Sequence, residues 1–368
     1  MNKIKLPEFT RPIVSEITPY EPGKPISEVE REFGLTDVIK LASNENPLGP
    51  SPKAIEAVRS ALDTFHRYPD GAGYYLREKL ASRLQVPANW IVLGNGSTEL
   101  VELVTEAFVE PGDEVVIGKY EFFKYRIAVQ IMNGTVIWAE MPDLQYDVDE
   151  LLSRITGRTK VLFIANPNNP TGTMLDKSQT ARLMEKVPPQ VIVVFDEAYY
   201  DYRNPDNYPE TLQYLRDGAN VIIMRTFSKS YGLAGLRVGF AITTPAIAQG
   251  LNTVREAFNV NSLGQIGAIA ALDDVEYLKK GIELNRTGRD YFYTEFGRMG
   301  LSYVPSEANF VLVRTPVPGR ELFGRLLKRG VIVRPVDGYG LKEYVRVSVG
   351  LPEENRRFIE ALKEVLVP

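Results

Sequence analysis

One feature constrains this chain more than any other. From about residue 90 to 245, short apolar runs alternate with amphipathic stretches. WIVLG is followed by STELVELVTEAF, DEVVIG by FFKYRIAVQIM, and VLFIAN by KSQTARLMEKV; VIWAEM, VIVVFDEAY and VIIMRTFSK extend the series. Several runs are apolar at every position, as strands covered on both faces are. The stretches between them carry apolar residues at helical spacing. Strand–helix alternation of this kind predicts a doubly wound, mostly parallel α/β sheet.

The flanks differ. Residues 1–50 are proline-rich, as in PYEPGKP and NENPLGP, and suit a surface-wrapping segment better than long elements. PKAIEAVRSALDTF, which follows, has helical periodicity. After about 260 the run LGQIGAIAALDDVEYLKKGIELNRTGRDYFYTEFGRMG predicts one long helix. ANFVLVRT, VIVRPV and YVRVSVG predict strands, and PEENRRFIEALKEVL a closing helix. The expected organisation is an arm over 1–45 packing with the smaller domain, a large α/β domain over 46–260, and a small α+β domain over 261–368.

Two residue counts narrow the chemistry. The 368 residues contain no Cys and one His, His66. Disulfides, thiolate nucleophiles, Cys zinc sites and iron–sulfur clusters are excluded, as is a multi-His metal centre. No metal is expected, and proton transfer falls to Lys, Tyr, Asp, Glu or a cofactor. Lys and Arg total 43 against 47 Asp and Glu, a net charge of −4. That balance offers no electrostatic reason for a nucleic-acid or anionic-membrane partner. The start, MNKIKLPEFTRP, lacks an apolar signal region, and no run approaches the roughly 18–20 residues needed to span a bilayer. A soluble, cytoplasmic protein is expected.

In an open parallel sheet, ligands bind beyond the carboxyl ends of the strands. Four runs end in polar groups there: Gly96-Ser97-Thr98-Glu99, Asn166-Pro-Asn-Asn-Pro-Thr-Gly172, Asp196-Glu-Ala-Tyr199 and Thr226-Phe-Ser-Lys229. Lys229 is either a lysine whose ammonium reaches water or a Schiff-base lysine whose amine is activated by desolvation and a nearby cation such as Arg237. Asp196 is either a structural cap or a carboxylate holding a protonated ring nitrogen. Gly96-Ser97-Thr98 is an ordinary helix start or a phosphate cradle. A complete GxGxxG is missing, which speaks against a nicotinamide-dependent dehydrogenase. Together the parts match the needs of an aromatic phosphate cofactor of the pyridoxal type.

The motifs NPNNPTG, DEAY and SKSYGLAGLRVG, in this order, resemble those of the fold type I pyridoxal-phosphate aminotransferases. NENPLGP, FNVNSL and GYGL resemble the histidinol-phosphate branch of that family, and the likeness, through RYPDG as well, spans nearly the whole chain. The resemblance implies pyridoxal 5'-phosphate bonded to Lys229, with Asp196 on its ring nitrogen and Tyr199 and Asn169 on its ring oxygen. It implies a phosphate held by Ser97, Thr98, Thr226, Ser228 and Arg237, and a ring stacked on Phe122. It places Tyr68 in the neighbouring subunit's site, hence a homodimer with shared active sites. Arg346 and Arg334 would hold the substrate's anionic groups, with Asn169 beside them, and Tyr20 would close over the substrate.

The implied reaction interconverts L-histidinol phosphate and 2-oxoglutarate with imidazole acetol phosphate and L-glutamate, a step of histidine biosynthesis. An aromatic amino-acid aminotransferase, a phosphothreonine decarboxylase on the same scaffold and a non-catalytic binding protein are the alternatives. Glu121, Ala257 and Lys342 depart from the branch's pattern. An inward-facing Glu121 would repel a phosphate-bearing substrate.

Overall fold

The computed structural model describes residues 7, 9–19 and 21–366. Its strands are β1 (Ile39–Lys40), β2 (Ile91–Gly94), β3 (Glu114–Gly118), β4 (Thr135–Ala139), β5 (Thr159–Ala165), β6 (Ile192–Asp196), β7 (Val221–Thr226) and β8 (Gly239–Thr243), then β9 (Tyr303–Val304), β10 (Phe310–Arg314), β11 (Val331–Ile332), β12 (Arg334–Pro335) and β13 (Tyr344–Ser348).

Seven strands form the large sheet, in the order β2-β8-β7-β6-β5-β3-β4. Strands β3 to β7 are paired in parallel, and only β8 opposes its neighbours β2 and β7. The parallel alternation is as expected; β8 is not a run that the sequence reading picked out. It is five residues long, starts two residues after Arg237 and is buried throughout.

Burial along the strands shows why the runs are apolar at every position. Leu162, Ile164, Val193, Phe195, Val221 and Ile223 enter one apolar layer. Val161, Phe163, Val194, Ile222 and Met224 enter the other. Side chains alternate across a strand, so both faces are covered. Burying such a side chain contributes about 1.5–3 kcal/mol, enough to fix the register of each strand.

The stretch 263–300 is not one helix. Ser262–Leu272 and Val275–Arg298 are separate, with Asp273 closing the first and Asp274, at φ −101° and ψ 60°, preceding the second. The break lets one stretch serve two cores. Ala268, Ala271 and Leu272 join Ala54 and Leu76 in the large sheet's core. Phe292 and Phe296 pack with Val311, Val347 and Phe358 under the small sheet. Residues 262–272, expected in the smaller domain, therefore pack with the large one.

The small sheet is antiparallel, in the order β12-β13-β10-β9. The N-terminal segment carries more helix than its prolines suggest, with Pro12–Glu16 and Ile26–Phe33. It then threads between the two halves. β1 pairs in parallel with β11, Ile39 opposite Val331. The Leu41 N–H donates to Ile332 O at 2.8 Å, and Leu41 O accepts from Ser348 N at 2.9 Å. Among the described residues, no helix is long and apolar enough to cross a membrane and no group of acids or His is arranged to hold a metal.

Candidate active site

The strand exits surround a cavity of about 220 Å³. Its anion-binding end starts at Gly96, φ +76°, which opens the helix Gly96–Phe108. A Cβ there would strike the Arg237 guanidinium, and a Cβ on Gly239 would lie 2.6 Å from Ser97 N. Only glycine permits this close approach of helix start, arginine and β8. Arg237 itself has φ +57°, an uncommon state for a side-chain-bearing residue. Its Nη1 donates to Ser228 Oγ at 3.3 Å, and Thr226 Oγ1 donates to Ser228 Oγ at 3.0 Å. Ser97 and Thr98 line the same end. Hydroxyls, a guanidinium and free helix N–H groups form a set suited to a phosphate.

Asp196 ends β6 and is buried. Its Oδ2 accepts from Tyr125 Oη at 2.7 Å and its Oδ1 from Ala198 N at 3.1 Å. Burial lifts its pKa to about 6, against the pull of those two donors. Lys229 follows β7, and its Nζ donates to Ser43 O at 3.2 Å. Burial, then the charges of Arg346 and Arg237, bring its pKa down to about 8 against the opposing Glu45 and Asp196. A lysine so placed is an available nucleophile near neutral pH.

Tyr199 and Asn169 face the same cavity. Tyr199 Oη accepts from Asn44 Nδ2 at 2.9 Å, and burial pushes its pKa up to about 12. Arg346, on β13, is buried; one Nη donates to Asn169 Oδ1 and the other to Ala42 O at 2.7 Å. Phe122 lines the wall, edge-on to Tyr125 with centroids 5.8 Å apart. Arg334 lines the mouth and donates to Glu21 O at 2.7 Å. An acid, an amine, a phenol and an amide facing an anion cradle are the donors that a phosphorylated pyridine aldehyde requires.

One expected member lies elsewhere. Tyr68 is 83% exposed and stacks on Phe258 at 4.9 Å, away from the cavity of its own chain. Tyr20 lies outside the described residues. Glu121 does not face this cavity. Its Oε1 accepts from Ala165 N at 2.8 Å and its Oε2 from Gly118 N at 2.7 Å, with the Tyr146 phenol alongside. β3 and β5 stay in register only as far as Val116 and Leu162. The carboxyl therefore replaces the missing ladder acceptors where these strands separate. Burial raises its pKa to about 8, so at neutrality it is largely uncharged and the anticipated repulsion does not arise.

Sequence reasoning missed Tyr125, Ser43 and Tyr339, all of which line the cavity. Tyr125 left a signal: it is the one phenol on the buried face that it shares with Ala128 and Val129. Ser43 contributes a carbonyl, which no side-chain pattern reveals.

A family model described as aminotransferase class I and II matches residues 36–362. The chain is 48% identical to the histidinol-phosphate aminotransferase of Moorella thermoacetica, over 97% of this chain and 92% of that protein. It is 46% identical to histidinol-phosphate aminotransferase 2 of Pseudomonas aeruginosa, over 97% and 98% of the two chains. The structure of histidinol-phosphate aminotransferase from Sinorhizobium meliloti in complex with pyridoxal-5'-phosphate superposes with a TM-score of 0.90 at 28% identity, covering 98% of each chain. The fold, the convergence of strand exits on one cavity and these likenesses lead to one conclusion: the chain belongs to the aminotransferase class I and II family.

Proposed function

We propose that the protein is a pyridoxal-phosphate-dependent aminotransferase acting on L-histidinol phosphate and 2-oxoglutarate in the cytoplasm, as a homodimer with shared sites. One observation carries the reaction class. An amine and an acid, each with its pKa displaced toward neutrality, share a cavity with an anion cradle and two arginines. Near-full-length identity to proteins named for histidinol phosphate supports the substrate.

The cofactor, when bound, supplies an aldehyde that captures the amine and a ring that takes up the electron pair released at the substrate Cα. The chain's own groups do the rest. Lys229 Nζ, whose ammonium form is disfavoured, would take the proton from the substrate Cα and deliver it to the carbon that carried the cofactor's aldehyde. Asp196, fixed by Tyr125 and Ala198, would keep its negative charge against the ring nitrogen. Tyr199 and Asn169 would hydrogen-bond the ring oxygen. Ser97, Thr98, Thr226, Ser228 and Arg237 would hold the phosphate, and Phe122 the ring face. Arg346 and Arg334 present planar donors to the substrate's anions, which suits phosphate or carboxylate. Tyr68, exposed in one chain, would reach a partner's cradle.

The deciding experiment compares rates with histidinol phosphate, phenylalanine and tyrosine, each against 2-oxoglutarate. A strong preference for histidinol phosphate is expected; preference for either amino acid overturns the substrate. The purified protein should be yellow, and borohydride should bleach it and fix a pyridoxyl group on Lys229. For shared sites, mixing Lys229→Ala and Tyr68→Ala chains should restore activity that neither has alone.

A further inference from the structure

A second cavity, of about 530 Å³, adjoins the first. The two share Phe122, Phe123, Arg334 and Tyr339. Thr18, Pro19 and residues 21–24, the end of β3 and the β12 region enclose the outer one, and Trp138 adds to its aromatic wall. No residue of this wall other than the four shared ones belongs to the machinery described above.

Its charges nearly all cancel. Lys119 pairs with Glu140 at 2.8 Å. Arg320 pairs with Glu21 at 3.1 Å and Asp337 at 2.9 Å. Lys24 turns to Glu28 and Glu32. Glu121 is taken up by Tyr146 and two backbone N–H groups. Arg334 is held by Glu21 O, which leaves Arg126. Among the described residues its side chain makes no hydrogen bond or ion pair, although its Nε is buried. A guanidinium is always charged, and a donor removed from water without an acceptor is costly. Arg126 sits four residues after Phe122 and three after Phe123, next to the aromatic pair that separates the cavities.

We infer that the outer cavity is an anion site for the non-reacting end of a substrate, with Arg126 as its cation. The ligand class is a small phosphate or carboxylate carried on a body that fits between aromatic walls. This inference rests on the proposed reaction, whose amine carries a phosphate and whose oxo acid carries a second carboxylate. Arg126 is thus a specificity-determining residue, separate from Arg346 and Arg334.

The test uses the cofactor-loaded enzyme and varies one substrate at a time. Arg126→Gln is expected to raise KM about tenfold or more for histidinol phosphate or for 2-oxoglutarate, with kcat within twofold. A rise for the amine alone assigns the phosphate; a rise for the oxo acid alone assigns the carboxylate. Arg126→Lys should recover part of the loss. Lys119→Gln, which removes a paired cation from the same wall, should leave both KM values unchanged. Inorganic phosphate should compete with the affected substrate in the parent and at least fivefold less well in Arg126→Gln. Unchanged KM values for both substrates in Arg126→Gln overturn the inference. So does a fall in kcat with KM constant, which would indicate a structural role. If the parent does not transaminate histidinol phosphate, the proposed function fails first, and the 2-oxoglutarate arm still judges Arg126 with whichever amine is used.

Discussion

The cavity has two sides built on different principles. Its floor is the carboxyl edge of the large sheet, where Asp196, Thr226, Ser228 and Lys229 each end or follow a buried strand. Its wall is assembled from distant segments: Ala42, Ser43 and Asn44 from the N-terminal strap and Arg346 from the small sheet. The floor's groups are held by backbone that the core already fixes. The wall's groups are held by hydrogen bonds between residues some 300 positions apart, such as Asn44 N to Ser348 Oγ and Arg346 to Ala42 O. A floor of this kind suits reactive groups, which must be placed within a fraction of an ångström. A wall of this kind suits substrate contacts, which depend on segments far apart in the chain being held together.

Substitutions on the floor should therefore cost turnover and those on the wall should cost affinity. Lys229→Ala is expected to have the largest effect, a loss of about 10⁴-fold in kcat with folding retained. Turnover within tenfold of the parent would remove the lysine from the reaction. Asp196→Ala should lose about 10²–10³-fold in kcat, read under saturating substrate. Arg346→Lys tests the wall. One ammonium cannot serve both Asn169 and Ala42 and also present a planar face to substrate, so kcat/KM should drop about 10–100-fold, mainly through KM. If kcat falls instead, the division between the two sides is wrong.

Smaller effects sharpen the same contrast. Tyr125→Phe deletes a donor that favours ionised Asp196. The Asp196 pKa, about 6 in the intact site, should rise, and the acid limb of kcat/KM should move to higher pH, with about tenfold lost at pH 7. The smallest effect concerns stability. In the cofactor-free protein, burial holds the Lys229 pKa at about 8, below the ordinary lysine value of 10.5. The buried ammonium thus destabilises the fold below about pH 8, and that cost disappears as pH rises past 10.5. Lys229→Met should stabilise the cofactor-free protein by about 1 kcal/mol at pH 7, and the gain should shrink between pH 8 and 10.5. Denaturant midpoints at both ends of that range check the sign.

The same division explains what could be read from the chain before the structure. The floor was legible because each of its residues sits directly after an apolar run, so strand periodicity alone locates Asp196, Lys229 and Asn169. Ser97 and Thr98 follow from a glycine at a helix start. The wall was largely illegible. Arg346 and Arg334 were placed by resemblance, because nothing local to YVRVSVG or VIVRPV says which groove an arginine enters. Ser43 acts through a carbonyl, and Tyr125 acts from a helix that faces the sheet. The break at Asp273–Asp274 was hidden because the apolar pattern continues across it, although each half packs on a different core. β8 was overlooked because five residues after a left-handed arginine leave almost no periodic signal.

The strap at 39–44 has a consequence for how the molecule can be cut or extended. Those six residues lend an edge to β11, brace Ser348 and supply the acceptor for the Lys229 amine. Proteolytic trimming that stops before residue 38 should keep the Lys229 contact but weaken substrate binding, because Glu21 to Lys24 line the outer cavity and Val29 is buried. A cut a few residues later would strip the reactive amine of its contact and unfasten the small sheet in one stroke.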